Sequence, residues 1–255
     1  MSLAIITGAS SGIGMEFARQ LKKRGVDEFW LVARREEKLI SLGEELGVKY
    51  KIITADLATE DGIEAYRSAL KSENPEVKYL INAAGFGEYG AFDEVEESTV
   101  KKMIDLNVKA LVLITHMTVP YMERGGRIVE MGSGSCFTPL PYFNIYSSSK
   151  VFVLHYTKSL NYELRKYGVR ATCFCPGYVE TEFLGKAEKK GVLVPKEYKP
   201  LLKCDKVVSG CIDAMEKGKV MYVTNWYTKL QHLLFKIVPD SLLTKMWLTM
   251  LEKKN

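Results

Sequence analysis

The sequence predicts an α/β fold in one domain: a doubly wound, mostly parallel sheet of seven strands with helices on both faces. Short apolar runs alternate along the chain with longer stretches of helical period. Several of the apolar runs lack polar alternation, as expected of strands that helices cover on both faces. The 255 residues, 47% hydrophobic and 26% charged, suit a soluble domain with one core.

Each element follows from this periodicity. Strands are predicted at Leu3–Thr7, Phe29–Ala33, Tyr50–Ala55, Tyr79–Asn82, Arg127–Gly132, Val169–Cys175 and Val220–Thr224. Helices are predicted over Gly12–Arg24, up to Leu46, up to Lys71, over Ser98–Glu123 and over residues 143–167. No solenoid repeat or low-complexity linker interrupts the pattern, so we expect a single domain over residues 1–255.

Charge and cysteine usage exclude several classes of protein. The net charge of +5 is spread along the chain without a long basic run, so no nucleic-acid partner is expected. Five cysteines, no C-x-x-C pair and no recognisable secretory leader indicate free thiols in a reducing cytoplasm. The histidines are interpreted as structural, and no metal site is expected: His116, His155 and His232.

A glycine-rich turn follows the first strand. Gly8, Gly12 and Gly14 lie in the run Thr7-Gly8-Ala9-Ser10-Ser11-Gly12-Ile13-Gly14, just before the first helix. Side chains there would keep the backbone away from a phosphate, whereas the N–H groups of a helix N-terminus attract one. An ordinary tight turn is the alternative, but a strand and a helix on either side favour a dinucleotide site.

The second strand ends at Ala33-Arg34-Arg35, where an acidic residue would bind the ribose 2′-hydroxyl of NAD. An arginine fork suits a 2′-phosphate that a carboxylate would repel, so the sequence predicts NADP(H) in preference to NAD(H). The alternative is that Arg34 and Arg35 only solvate a helix start, although positive charge is unfavourable at that end of a helix.

Ser133, Tyr146 and Lys150 form the candidate catalytic set. Tyr146 and Lys150 stand one helical turn apart and face the same way. Ser133 follows a predicted strand, and a loop with glycine and proline lets the chain fold back toward Tyr146. A second set repeats the spacing, but its serine and tyrosine would lie roughly 20 Å apart on one helix and cannot share a substrate: Ser149, Tyr162 and Lys166.

These motifs resemble those of the short-chain dehydrogenase/reductase family, which implies a Rossmann-like fold. The first turn matches the family's T-G-x-x-x-G-x-G, Asn82-Ala83-Ala84-Gly85 its N-N-A-G, and Pro176-Gly177-Tyr178-Val179-Glu180-Thr181 its P-G-x-V-x-T. Ser133, Tyr146 and Lys150 match its active site. The likeness is close over residues 3–181 and holds only in outline beyond them.

The resemblance also implies roles. Tyr146 would be the general acid in carbonyl reduction and the base in alcohol oxidation, Ser133 would hold the substrate oxygen, and Lys150 the nicotinamide ribose. A free tyrosine titrates near pH ~10, and we expect the charges of Lys150 and of an oxidised nicotinamide ring to lower the pKa of Tyr146. Asn107 matches the fourth catalytic residue, expected to support a water chain from Lys150, although a mid-helix asparagine is otherwise usually a mild misfit.

The expected cofactor contacts are numerous. Thr181 would reach the nicotinamide carboxamide and Asp56 would approach the adenine, although a strand-end aspartate is more often a helix cap. Tyr146 and Lys150 also belong to this set. The remaining positions are Thr7, Gly8, Ser10, Ser11, Gly12, Ile13, Gly14, Arg34, Arg35, Leu57, Asn82, Ala83, Ala84, Gly85, Pro176, Gly177 and Val179.

The chain departs from the family pattern at four positions. Ala83 replaces the second asparagine of the turn, and Glu130 and Gly132 replace the usual asparagine and first serine of the strand before Ser133. Gly134 loosens the loop that follows. These changes concern the pocket lining and local rigidity, not the reaction.

Substrate identity is expected to reside in residues 137–143 and in residues 182–200, which the resemblance marks as a mobile lid. Apolar side chains there indicate a hydrophobic carbonyl or secondary alcohol, although each could equally belong to the core. Steroid-like, acyl-chain and small ketone substrates all stay open. The side chains are Phe137, Leu140, Tyr142, Phe143, Phe183 and Leu184.

Residues 225–255 read as an amphipathic C-terminal extension around Pro239. It is too interrupted by charge to span a bilayer: Lys229, Lys236, Asp240 and Lys245. We expect it to pack against the body or a partner subunit of a homodimer or homotetramer, and a membrane surface is the alternative.

The predicted function is NADP(H)-dependent hydride transfer between the nicotinamide and a carbonyl or secondary alcohol of a small molecule. The alternative is an NAD(P)-binding sensor or scaffold that keeps the fold without turnover. Such proteins usually lose a proton-handling residue, and this chain retains all four, which favours the enzyme.

Overall fold

The central sheet forms where the apolar runs predict it. The computed structural model describes residues 2–235 and 237–254, and for Gln231 only the backbone. The sheet strands are β1 (Leu3–Thr7), β2 (Glu28–Ala33), β3 (Lys49–Thr54), β4 (Val77–Asn82), β5 (Met122–Met131), β6 (Arg170–Cys175) and β8 (Met221–Val223). In the described residues they make one seven-stranded sheet of order β3-β2-β1-β4-β5-β6-β8.

All neighbouring strands of this sheet run parallel, which confirms the predicted fold class. The strand order reverses between β1 and β4, and open parallel sheets bind ligands at the carboxyl ends of such strands. The chain therefore builds a crevice where Thr7 and Asn82 end their strands.

Helices cover both faces of the sheet. They are α1 (Gly12–Lys23), α2 (Glu36–Leu46), α3 (Glu60–Glu73), α4 (Glu97–Ile104), α5 (Leu111–Thr118), α6 (Asn144–Glu163), α7 (Glu182–Ala187), α8 (Cys204–Glu216), α9 (Trp226–Leu234) and α10 (Asp240–Thr249). Ala4 and Ile6 of β1 pack in the core under α1, α2 and α8. Leu3 and Ile5 pack on the opposite face, under α3 and α5. This alternation explains why β1 is apolar at every position.

The helix predicted over Ser98–Glu123 is interrupted. A π-helical segment over Asp105–Ala110 separates α4 from α5, and a 3-10 turn over Val119–Tyr121 ends the run. The strand then begins at Met122 instead of Arg127, with a register shift against β4 between the Met122 and Arg127 pairings. Gly125, at φ +91°, permits this irregularity.

The segment after β6 was less well predicted. Val179 and Leu202 make an isolated bridge, and β7 (Leu193–Pro195) pairs antiparallel with β9 (Leu251–Lys253). This second sheet ties residues 182–200 to the end of the chain. Lys236, part of the predicted tail, lies outside the described residues. Among the helices of the described residues, none is both long and apolar enough to cross a bilayer.

Candidate active site

The glycine turn after β1 makes a tight backbone cradle. Gly8 and Gly12 have φ values of +67° and +53°, which side chains rarely adopt. A Cβ on Gly14 would lie 2.5 Å from the carbonyl oxygen of Gly8, and one on Gly8 would lie 2.8 Å from the amide of Ala84. Ser11 occupies the N-cap position of α1, but its side chain makes no hydrogen bond to the helix. The first N–H groups of α1 therefore stay available to a ligand.

The turn after β4 is held against this cradle. The Ala84 N–H donates to the Thr7 hydroxyl at 3.2 Å. Ala83, Ala84 and Gly85 line the cleft, whereas Thr7 and Asn82 lie behind it. Thr7, predicted as a cofactor contact, therefore supports the turn from below, whereas the side chain of Asn82, also predicted, donates to Thr115 and Glu130.

Both arginines at the end of β2 have carboxylate neighbours. The Arg35 guanidinium donates to the Ser10 carbonyl at 3.1 Å and to the Glu182 carboxylate at 3.0 Å. Arg34 is more exposed, with 73% of its side chain accessible, and lies 3.9 Å from the Asp56 carboxylate. Glu182, the first residue of α7, thus balances part of the positive charge of Arg35.

Ser133, Tyr146 and Lys150 converge as the spacing predicts. Ser133 follows β5, and its hydroxyl hydrogen-bonds Tyr146 and accepts the Ser135 N–H at 3.1 Å. Tyr146 and Lys150 lie one turn apart on α6, with the Lys150 ammonium 5.5 Å from the centre of the Tyr146 ring. All three side chains line one cleft.

The rival set does not converge. Ser149 and Tyr162 both lie on α6, more than three turns apart. The Ser149 hydroxyl donates to the Tyr146 carbonyl at 2.6 Å. Tyr162 is 61% exposed, with Arg165 stacked over its ring.

Burial controls the protonation of the catalytic pair. It raises the pKa of Tyr146 above its ordinary value, and the hydrogen bond with Ser133 opposes this only in part. Burial also lowers the pKa of Lys150 to about 8. The Tyr146 pKa is therefore shifted opposite to the expected lowering, because lost solvation is the largest cause and Lys150 is not among the groups that lower it. The Lys150 ammonium instead donates to the Met131 carbonyl at 2.8 Å.

Glu130, a departure from the family pattern, is fully buried behind this pair. Its carboxyl accepts the Thr115 hydroxyl at 2.7 Å and the Asn82 amide at 3.1 Å. Burial raises the pKa of Glu130 to about 8, and the charge of Lys150 opposes the rise in part. The substitution is visible in the sequence, but the buried partners of Glu130 are not, because Asn82 and Thr115 lie 48 and 15 residues away along the chain.

Gly132, directly after β5, also departs from the family pattern. The cysteines beside it explain why this position has no side chain. A Cβ on Gly132 would lie 2.7 Å from the Cys173 sulfur and 3.0 Å from the Cys175 sulfur. These thiols, together with Cys136, occupy the space under the Ser133 loop, and all are free and buried.

Asn107 lies in the π-helical segment and is fully buried. Its side chain accepts the Phe86 N–H at 3.1 Å and donates to the Phe86 carbonyl at 2.8 Å. Asn107 does not line the cleft. Its contacts fix the chain directly after Gly85, close to Lys150.

Aromatic side chains form the wall around Tyr146. Phe143 stacks on Tyr89 with ring centres 4.0 Å apart and contacts Tyr146 at 4.5 Å, and Phe183 lies 5.4 Å from Tyr146 on another side. Tyr89 was not predicted as a site residue, although the run Phe86-Gly87-Glu88-Tyr89-Gly90 directly follows the N-A-A-G turn. A Cβ on Gly87 would lie 2.8 Å from Tyr146, so a glycine is needed for this close approach.

Only some of the apolar residues predicted to contact the substrate line the cleft. Leu140, Phe143, Phe183 and Leu184 line the cleft, together with Trp247 from α10, which sequence analysis assigned only to the tail. Phe137 instead packs on His232 with ring centres 4.0 Å apart. Neither Phe137 nor Tyr142 lines the cleft, and only Tyr142 packs in the same apolar cluster as the wall.

One cleft of about 860 Å³ contains both the glycine cradle after β1 and the side chains of Ser133, Tyr146 and Lys150. Of the predicted nucleotide contacts, those that line it are Gly8, Ser10, Ser11, Gly12, Ile13, Gly14, Arg34, Arg35, Asp56, Leu57, Ala83, Ala84, Gly85, Tyr146, Lys150, Pro176, Gly177, Val179 and Thr181. Ser135 and Thr138 also line it, and within the described residues their buried hydroxyls have no hydrogen-bond partner. A glycine cradle, an uncapped helix start and unsatisfied hydroxyls fit a dinucleotide with a polar headgroup.

The fold and the site define a nucleotide-dependent oxidoreductase that acts on an alcohol or carbonyl group. A family model described as short chain dehydrogenase matches residues 2–191. The chain therefore belongs to the short-chain dehydrogenase/reductase family, and its ligand includes a nicotinamide cofactor.

Known proteins similar to this chain agree with that assignment. It is 36% identical over 187 residues to Sulfoacetaldehyde reductase 2 of Chromohalobacter salexigens, across 71% of this chain and 74% of that protein. It is 34% identical over 191 residues to Inactive hydroxysteroid dehydrogenase-like protein 1 of Homo sapiens, across 70% of this chain and 56% of that protein.

A solved structure covers nearly all of the chain. The short-chain dehydrogenase from Sphingobium yanoikuyae, in complex with NADPH, superposes with a TM-score of 0.80 at 26% identity. The match covers 94% of this chain and 98% of that chain.

Proposed function

We propose that the protein is an NADP(H)-dependent reductase of a hydrophobic carbonyl compound, or the dehydrogenase of the matching secondary alcohol, with Tyr146 as the general acid/base. The observation that carries this proposal is the convergence of Ser133, Tyr146 and Lys150 in the cleft that also contains the glycine cradle. The substrate would be a small molecule bound between the aromatic wall and the tail.

The side chains would divide the work as follows. The bound nicotinamide dinucleotide would supply or accept the hydride. Ser133 would hold the substrate oxygen, and the Tyr146 hydroxyl would donate its proton to that oxygen as the new C–H bond forms. A positioned proton donor of this kind raises a rate roughly 10²–10⁴-fold. In alcohol oxidation the same groups would act in reverse.

The protonation states suit the reductive direction. Because burial raises the pKa of Tyr146, its proton stays bound at neutral pH and is available to the substrate. The pKa of Lys150, about 8, keeps most of the ammonium charged at neutrality, where it would orient the ribose. Asn107 would act as a positioning residue through the Phe86 backbone.

The arginines support the preference for NADP(H). Arg34 is exposed at the rim, and its ion pair with Asp56 is long at 3.9 Å, so its guanidinium can turn toward a 2′-phosphate. Arg34→Ala should weaken NADPH binding at least about tenfold and leave NADH binding nearly unchanged, as measured by calorimetry. Arg67→Ala, on the outer surface of α3, is the matched control. Equal affinity of the wild type for NADH and NADPH would contradict the proposal.

The aromatic wall supports a hydrophobic substrate. A panel of aldehydes, ketones, acyl-chain carbonyls and steroids, followed by NADPH absorbance, tests both reaction and substrate class. Turnover that rises with the apolar size of the substrate is the expected result. Tight NADPH binding without turnover of any carbonyl would instead support the sensor or scaffold, a role that the name of the human relative makes worth testing.

The remaining assignments are proposals as well. Residues 182–200 would act as the lid, since Phe183 and Leu184 near their start line the cleft. The chain would assemble as a homodimer or homotetramer, which analytical ultracentrifugation measures. Its five free cysteines suit a cytoplasmic location, which cell fractionation checks.

A further inference from the structure

The C-terminal segment concentrates exposed apolar side chains. In the described residues, ten of the nineteen large hydrophobic side chains that are exposed lie within residues 226–250. Single exposed apolar residues are ordinary on a protein surface, but a contiguous group of this kind indicates a contact surface.

Most of the exposed residues follow helical spacing, although Leu248 lies on another face of α10. Trp226, Leu230 and Leu233 follow at intervals of four and three residues on one face of α9, and Ile237 comes after the end of this helix. Leu242, Met246 and Met250 repeat every four residues along α10. We call these seven residues the tail stripe. Trp226 is 75% exposed and Ile237 is 78% exposed.

The body of the protein already covers the neighbouring face of α10. Leu243, Trp247 and Leu251 are buried at the same four-residue spacing, one position later. The Trp247 indole N–H donates to the Pro141 carbonyl at 2.8 Å. Because α10 is fixed by this contact, the tail stripe cannot turn inward without breaking it.

The tail stripe surrounds the mouth of the cleft. Leu230, Met246 and Met250 are exposed and also line the cleft. Trp226, Leu233, Ile237 and Leu242 are exposed but do not line it. A substrate in the cleft would therefore cover only part of the stripe.

Positive charge flanks the stripe. Residues 225–255 contain five lysines against two acidic residues. Lys229 and Lys245 are exposed on the two helices, and in the described part of the chain neither lies within salt-bridge distance of a carboxylate. An apolar stripe bordered by lysines is typical of helices that lie in the interface of an anionic membrane.

We propose that α9 and α10 seat this protein on an anionic lipid surface through the tail stripe, with the mouth of the cleft facing the lipid. A second copy of the chain fits less well. In a twofold interface the patch would meet a copy of itself, so two surfaces of the same positive charge would be brought together. Lipid phosphates complement this charge instead.

Vesicle sedimentation tests the proposal on the full chain. Vesicles of phosphatidylcholine mixed with phosphatidylglycerol should bind the protein, and vesicles of phosphatidylcholine alone should bind it less. The double variant Leu233→Ser/Ile237→Ser should lower the partition coefficient at least about tenfold, since it removes two apolar side chains from the contact. Lys229→Glu/Lys245→Glu should abolish the preference for anionic vesicles.

The control is Phe92→Ser, which removes a side chain that is 85% exposed outside the tail. It should bind vesicles like the wild type, and thermal unfolding verifies that every variant is folded. Failure to bind either vesicle, or an equal loss in Phe92→Ser, would overturn the proposal. So would a concentration-dependent dimer, seen by ultracentrifugation without lipid, that Leu233→Ser/Ile237→Ser dissociates, because it would assign the stripe to a second copy.

Discussion

The two ends of the cleft are built by different means. At the nucleotide end the contacts come from backbone: the cradle over Gly8–Gly14, the uncapped start of α1 and the turn after β4. At the substrate end they come from side chains that four separate segments deliver, with Tyr89, Phe143, Phe183 and Trp247 as representatives. Backbone geometry tolerates little change, whereas a wall of side chains can be exchanged residue by residue. The first end would therefore determine the reaction class and the second the substrate.

The largest effect is expected from Tyr146→Phe, which separates chemistry from cofactor binding. Loss of the hydroxyl should lower kcat roughly 10²–10⁴-fold, because no other positioned proton donor replaces it. The dissociation constant for NADPH, measured by fluorescence titration, should stay within about twofold of the wild type. Tyr162→Phe, the exposed tyrosine of the same spacing on α6, should leave both values unchanged. A fully active Tyr146→Phe protein would refute the proton role.

Gly14→Ala should have the next largest effect, and only at the nucleotide end. The added Cβ would lie 2.5 Å from the Gly8 carbonyl oxygen, so the cradle must open. We expect NADPH affinity to fall about 100-fold or the protein to lose about 2 kcal/mol of stability. Gly185→Ala is the matched control, since its Cβ would meet no atom within 4 Å. Unchanged affinity and stability in Gly14→Ala would show that the cradle is not rigid.

Glu130→Gln tests the buried carboxyl beneath the boundary between the two ends. Burial raises the pKa of Glu130 from 4.5 to about 8. The folded state thus holds the proton more tightly, and the stability this gives is complete below pH 4.5 and lost as pH rises through about 8. Glutamine cannot ionise and keeps an acceptor for Thr115 and Asn82. Relative to wild type, its free energy of unfolding should rise with pH between about pH 5 and pH 8, by up to about 1.4 kcal/mol per pH unit.

Urea unfolding at several pH values measures this difference. Glu76→Gln, on an exposed loop before β4, should show no such trend. A constant difference between Glu130→Gln and wild type across the pH range would mean that Glu130 does not bind a proton in this window.

The smallest effect is expected from Trp247→Phe at the substrate end. The variant keeps an aromatic ring but loses the hydrogen bond to the Pro141 carbonyl, worth about 1 kcal/mol. KM for an apolar ketone should rise a few-fold with kcat nearly unchanged, because the tail would close the cleft less firmly. Trp226→Phe, largely exposed, controls for the loss of an indole. A large fall in kcat would place Trp247 nearer the chemistry than its contacts indicate.

The sequence predicted the nucleotide end in detail because its signals are local. Gly8, Gly12 and Gly14 are neighbours along the chain, and their turn chemistry depends on a few residues. Tyr146 and Lys150 share one helical turn, and the alternation of apolar runs was sufficient to predict the parallel sheet.

The substrate end depends on contacts between distant residues. Trp247 meets Pro141 across 106 positions, and Glu130 meets Asn82 across 48. The interruption at Asn107 also escaped prediction, since a π-helical segment of 6 residues is too short to leave its own apolar period in the sequence. The direction of the Tyr146 pKa was wrong because burial, unlike charge, is not visible in a spacing.

The contact between Gly132 and the two sulfurs beside it limits how the interior can evolve. A serine at 132 would collide with Cys173 and Cys175, so the ordinary residue of the family cannot be restored alone. Exchange to serine should be tolerated only together with a smaller residue, such as alanine, at position 173. The residue allowed at position 132 thus depends on its neighbours, since a Cβ there would also lie 3.0 Å from the Cys175 sulfur and 3.0 Å from the Phe174 carbonyl oxygen.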